Sequence, residues 1–142
     1  MFLNKLLLSG PDLPNILLGV LLRFRQDPVA LVGNIEQMFH SFKVKEEFRD
    51  FLRFLWYKDN DPNGAITEYR MKVHIFGNTL SPAVANYALR KTAEVGEVKF
   101  GSDTKSFVDN NFYVDDGLHS APDSTMAMDL LCRTVAITEY GI

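Results

Sequence analysis

Asn110-Asn111-Phe112-Tyr113-Val114-Asp115-Asp116-Gly117-Leu118 is a β-prone aromatic run that ends in two adjacent carboxylates and a glycine. Read alone, it is a hairpin. Asp and Gly tolerate the positive φ of a tight turn, so Asp115-Asp116-Gly117 is expected to reverse the chain. A turn does not require two acids side by side, however. Neighbouring strand residues face opposite sides of a sheet, so Asp115 and Asp116 are expected to play unequal parts unless the turn rotates one inward. Their role depends on what else reaches the hairpin.

Working outward, Val29-Ala30-Leu31-Val32 is short, apolar and β-branched, the pattern of a buried strand, and it runs into Gly33-Asn34. Ile35, Met38, Phe39 and Phe42 then fall at the spacing of one helix face, which predicts a strand–turn–helix unit. Residues 45–51 read as helix and 53–58 as strand. Asp61-Pro62-Asn63-Gly64 is a turn. After it Tyr69, Met71, Val73 and Ile75 alternate with polar residues, which predicts a half-solvated strand antiparallel to 53–58. Ser81-Pro82 supplies an N-cap and a first-turn proline for a helix expected to run to Val95 and stop at Gly96. The hairpin follows, and a last helix is expected from Asp123-Ser124 into the 130s. Near the start, Asp12 is a candidate cap for a helix with Pro14 in its first turn. The order is α+β with an antiparallel sheet and helices on one face, close to a split βαβ or ferredoxin-like arrangement.

The totals narrow the function classes. The chain has 142 residues, 46% hydrophobic and 23% charged, which suits one domain with a real core. The net charge of −3 argues against tight nucleic-acid binding by this chain alone. Cys132 is a single thiol, and His40, His74 and His119 are scattered, so neither a disulfide scaffold nor a zinc site is expected. Ile16–Leu22 is too short to span a membrane, and Leu6-Leu7-Leu8 is too short for a signal-peptide core, so no membrane partner is expected.

This layout allows the end of the Val29–Val32 strand and the Tyr113–Gly117 hairpin to lie side by side. Two-metal phosphoryl transfer requires clustered carboxylates that hold cations about 4 Å apart, and a hairpin tip is a rigid, open place to present them. Tyr113-Val114-Asp115-Asp116 matches the Tyr-x-Asp-Asp motif of reverse transcriptases. The chain resembles, more specifically, the polymerase of BEL/Pao-type LTR retrotransposons. Its matching blocks are Leu8-Ser9-Gly10-Pro11-Asp12-Leu13, Gly19-Val20-Leu21-Leu22-Arg23-Phe24-Arg25, Ile35-Glu36-Gln37-Met38-Phe39, Leu52-Arg53-Phe54-Leu55-Trp56, Phe76-Gly77-Asn78 with Ser81-Pro82-Ala83, and Phe112 to Gly117. They appear in the family's order over nearly the whole chain.

The resemblance implies a partial reverse-transcriptase palm over residues 28–142, preceded by a fingers–palm junction segment over residues 1–27. It implies two Mg²⁺ ions, with Asp115 the principal ligand and Asp116 the lesser one. It implies dNTP and RNA or DNA template-primer as partners. Phe76, Gly77 and Pro82 would belong to the nucleotide and template pocket. Phe39, five positions after the first catalytic site, would stand where the family places a steric gate against the ribose 2′-hydroxyl; by periodicity alone Phe39 is equally a core residue. The fingers, thumb and ribonuclease H regions of the family are expected to lie outside this chain.

The family has a catalytic aspartate where this chain has Asn34. A carboxylate brings a full charge and bridges two cations, whereas an amide offers one neutral carbonyl oxygen. Three functions follow: the palm of an RNA-directed DNA polymerase; a catalytically dead retroelement relic, because Asn34 replaces the aspartate; or an unrelated α+β binding module whose Asp115-Asp116-Gly117 is merely a turn. Glu36 reads better as a first-turn helix carboxylate than as a substitute ligand. Arg23 and Arg25 are candidate nucleic-acid contacts or solvated helix-end charges. An exposed Ile16–Leu22 segment is expected to favour aggregation.

Overall fold

The computed structural model describes residues 3–11 and 15–141. Along the chain come α1 (Leu17–Arg23), β1 (Val29–Asn34), β2 (Arg53–Tyr57), β3 (Ile66–Arg70), α2 (Ser81–Phe100), α3 (Ser102–Asn111), β4 (Phe112–Tyr113), β5 (Asp116–Ala121) and α4 (Ser124–Gly141). The class is α+β, with small antiparallel sheets.

The main sheet has the order β1-β5-β4. Its register pairs Val29 with Ala121, Leu31 with His119, Gly33 with Gly117 and Asn34 with Asp116, while Tyr113 also lies opposite Asp116. Directly opposed residues share a face. Leu31, Gly33, Phe112, Gly117 and His119 therefore lie on one side, and Ala30, Val32, Asn34, Tyr113 and Asp116 on the other. The first side is covered: Leu31 and Phe112 join a core with Ala85, Leu89 and Ala93 of α2, Phe107 and Val108 of α3, and Leu130 and Ile137 of α4. Burying each large aliphatic or aromatic side chain here contributes about 1.5–3 kcal/mol. Ala30, Val32, Asn34, Tyr113 and Asp116 are all exposed, so the second side is open at these positions.

Glycines permit the close packing. A Cβ on Gly117 would lie 2.8 Å from the Phe112 ring and 3.1 Å from the Phe107 ring, so only glycine lets α3 sit that near β5. Gly101, at φ +96°, breaks α2 from α3 in a conformation that L side chains rarely adopt. Arg133 of α4 then ties this corner. Its guanidinium donates to Phe100 O (2.8 Å), Thr104 Oγ1 (2.9 Å) and the carboxylates of Asp103 and Asp129. These contacts raise the Arg133 pKa and hold the Asp103 carboxyl below its usual range.

β2 and β3 form a separate antiparallel ribbon in which every position is exposed, with Phe54 stacked on Tyr69 at 5.8 Å. The expected turn is present: Gly64 N–H donates to Asp61 O, and Asn63 N–H donates to Asp61 Oδ1.

Several expectations are corrected. The strand placed over 69–75 runs instead from Ile66 to Arg70. The alternation beyond it reflects a change of partner, because His74 N–H then donates to Phe42 O and Val44 N–H to Lys72 O. No α-helix follows β1. Gln37 turns left-handed at φ 53°, and only a 3-10 turn, Met38–Ser41, remains; Met38 and Phe39 both enter the core without a helical stripe. Glu36 is thus not in a helical first turn. Residues 46–52 are a 3-10 segment where a helix over 45–51 was expected. α2 passes through Gly96 to Phe100, and Ser81 is its first helical residue, the cap position being Leu80. α3 was not anticipated. The expected start at Asp12 and Pro14 lies outside the described residues; the helix there begins at Leu17, and Ile16, Leu18 and Leu22 are exposed. The last helix begins as expected, with Asp123 Oδ1 accepting from Met126 N–H at 2.9 Å.

Candidate functional site

The antiparallel register carries β1 and β5 to a common end. There Asn34 and Asp116, 82 residues apart in sequence, lie directly opposite one another, and Asn34 Nδ2 donates to Asp116 Oδ1 at 3.0 Å. One residue on, Ile35 N–H donates to the backbone O of Asp115 at 3.0 Å. Side chain and main chain together clip the hairpin tip to the end of β1.

The tip differs from the expected Asp-Gly turn. Tyr113 pairs with Asp116 and Phe112 with Gly117, so the two loop residues are Val114 and Asp115, and Gly117 is a strand residue. Val114 has φ +59°. A β-branched residue there is strained by roughly 1–3 kcal/mol and persists only where its surroundings hold it. Those surroundings are visible: the Val114 side chain packs against the core cluster, and its neighbours are fixed by the Tyr113–Asp116 pair and the Ile35–Asp115 bond. The turn separates the two acids in role. Asp116 stands on the open face beside Asn34, while Asp115 is half-buried at the apex.

The residues present lack the clustered carboxylates that two bridged cations require. Magnesium is commonly held by one or two carboxylates plus substrate phosphates. Asp115 and Asp116 supply two carboxylates, but Asn34 contributes an N–H donor that takes one Asp116 oxygen. Among the described residues no group of three or more His, Cys, Asp or Glu side chains is placed to hold a metal. A pair of ions bridged from position 34 lacks its carboxylate.

Of the other candidate residues, Phe39 and Phe76 are in contact. Phe39 is 4% exposed and packs edge-on against the Phe76 ring at 4.7 Å, while Phe76 is 63% exposed. Gly77, at φ +80°, accepts a hydrogen bond from Asn4 Nδ2 at 2.7 Å. Pro82 lies in the first turn of α2, where its carbonyl accepts from Asn86 Nδ2. Phe39 and Val114 share the core cluster, the link between the Phe39–Phe76 pair and the hairpin. The Arg23 guanidinium donates to Asn110 O, and its Nε is buried with no partner among the described residues. Arg25 is exposed.

Sequence reasoning missed the apical position of Val114 and the open face as a unit with Val32 and Tyr113. The alternation of β1 could have signalled the latter, since Val32 and Asn34 are two residues apart. No helix of the described residues is long and apolar enough to cross a membrane. No protein-family model matches the chain, and no curated protein matches it.

Proposed function

We propose that this chain is a reverse-transcriptase palm of the BEL/Pao retrotransposon type, in which Asn34 occupies the place of the first catalytic carboxylate. The reaction served by such a palm is attack of a primer 3′-hydroxyl on the α-phosphate of a dNTP. The observation that carries the reading is the meeting of Asn34, Asp115 and Asp116 at one sheet end, by pairing between segments 82 residues apart. The open face beside it, with Ala30, Val32 and Tyr113, offers a surface for template-primer.

A second reading, a catalytically inactive relic, is favoured by the Asn34 amide itself. It replaces a metal-bridging carboxylate with a donor that occupies Asp116. Loss of one electrostatic contributor of this kind commonly costs about 10²–10³ in rate. Mn²⁺ titration in the presence of dNTP tests both. Asn34→Asp is expected to bind Mn²⁺ at least tenfold more tightly than the parent, and adding Asp115→Asn to abolish the gain. If Asn34→Asp gains no affinity, position 34 is not part of a metal site and the polymerase reading falls.

A further inference from the structure

A cavity of about 570 Å³ lies away from the hairpin tip and is lined mainly by apolar side chains, including Leu6, Leu8, Phe48, Phe51, Leu52 and Val84. Two features decide what fits it. First, its rim is open: Leu6, Leu8 and Phe51 are 61%, 84% and 62% exposed. A small-molecule site encloses about 70–90% of its ligand, which walls this open do not achieve, so the occupant is extended. Second, Lys43 and Lys45 line the groove, and neither forms an ion pair among the described residues. No carboxylate among the described residues lines it. Glu46 points elsewhere, toward Arg70 at 3.8 Å.

The backbone narrows the choice further. Val44 N–H, between the two lysines, is already bonded to Lys72 O, and His74 N–H to Phe42 O. The lining segment is therefore already paired along one edge with residues 72–74. A helix satisfies its own backbone and needs only side-chain contacts, with anchors at i, i+3 or i+4, and i+7. We propose that this groove docks an amphipathic helix from a polypeptide partner that carries Asp or Glu along one edge of its apolar stripe. The carboxylates meet Lys43 and Lys45, and the stripe covers Leu6, Leu8, Phe48 and Phe51. The proposal stands independently of the polymerase reading.

The experiment is selection of a displayed library of random 16-residue peptides on the full chain, with counter-selection on the Lys43→Glu/Lys45→Glu double variant. Circular dichroism verifies that the variant folds, which is expected because both lysines are exposed. Enrichment of acidic peptides with apolar residues at helical spacing is the expected result. A synthetic copy should lose at least tenfold in affinity on the double variant and regain it when its own acids become lysines. The proposal is overturned if no helical acidic pattern is enriched, if the enriched peptides bind Phe48→Asp as well as the parent, or if sedimentation shows a micromolar dimer that closes the groove with a second copy.

Discussion

Replacing Asn34 with Asp converts the donor of a 3.0 Å hydrogen bond into a second negative charge facing Asp116. Two terms then destabilise the metal-free fold. The charge-assisted bond is lost, worth about 1 kcal/mol at an exposed position. Two unit charges about 4 Å apart repel by roughly 1 kcal/mol in a water-like dielectric and up to about 4 kcal/mol near a protein surface. Asn34 and Asp116 are both exposed, so the lower end applies and the sum is about 2 kcal/mol. At about 3–4 °C per kcal/mol for a domain of this size, Tm in EDTA should drop by roughly 6–8 °C. A divalent ion reverses this. At ten times its Kd, an ion bound only by the folded state returns about 1.4 kcal/mol. Scanning calorimetry of both proteins, with EDTA and with saturating Mg²⁺, checks the reasoning. An Asn34→Asp protein that melts at or above the parent in EDTA, or whose Tm rises with Mg²⁺ no more than the parent's, refutes it.

Three further outcomes follow from the packing. At Val114, φ +59° inverts the usual order of small residues: Val114→Gly should be about 1 kcal/mol more stable than Val114→Ala in urea denaturation, whereas in ordinary strand backbone glycine is the poorer choice. Gly96→Ala, normally stabilising inside a helix, should cost about 1–3 kcal/mol, because its Cβ would lie 2.6 Å from Ile137 Cδ1. Combining it with Ile137→Ala should give a loss at least about 1 kcal/mol smaller than the sum of the single losses. Burial lowers the pKa of His119, against a weaker opposing pull from Asp27, and Asn111 Nδ2 lies 3.3 Å from its Nδ1. The unfolded chain then takes up the proton first, so stability should decline as pH falls below about 6.5 toward the lowered folded value. His119→Gln should flatten that decline, leaving the part due to His74, which burial also lowers.

The legible parts of the fold were those whose signal is local. β1 announced itself as a β-branched run, the Asp61–Gly64 turn by its residue types, and α4 by Asp123. The errors arose where tertiary contacts chose between local options. Ile35, Met38, Phe39 and Phe42 have helical spacing, yet Gln37 turns left-handed and the apolar side chains reach the core by another route. Gly96 looked like a helix stop but is a packing site for Ile137, and the stop is Gly101, whose positive φ no pattern of hydrophobicity reveals. α3 was overlooked although Thr104, Phe107, Val108 and Asn111 have the i, i+3, i+4, i+7 spacing of a buried helix face. At the site, the order of elements allowed Asn34 to reach the hairpin, and the β1–β5 pairing brings them together. The turn did not, because Asp-Gly outweighs Val-Asp by residue preference, and only the Tyr113–Asp116 register places Val114 and Asp115 at the apex.

Primer extension tests the central claim most directly. The chain would be placed between the fingers and thumb of an active BEL/Pao-type polymerase and supplied with an RNA template, a DNA primer, Mg²⁺ and dNTPs. Extension by the Asn34→Asp form, at least 10² faster than by the parent sequence, is the expected result. Equal extension by both forms would contradict the assignment of position 34, and extension by neither would contradict the palm itself.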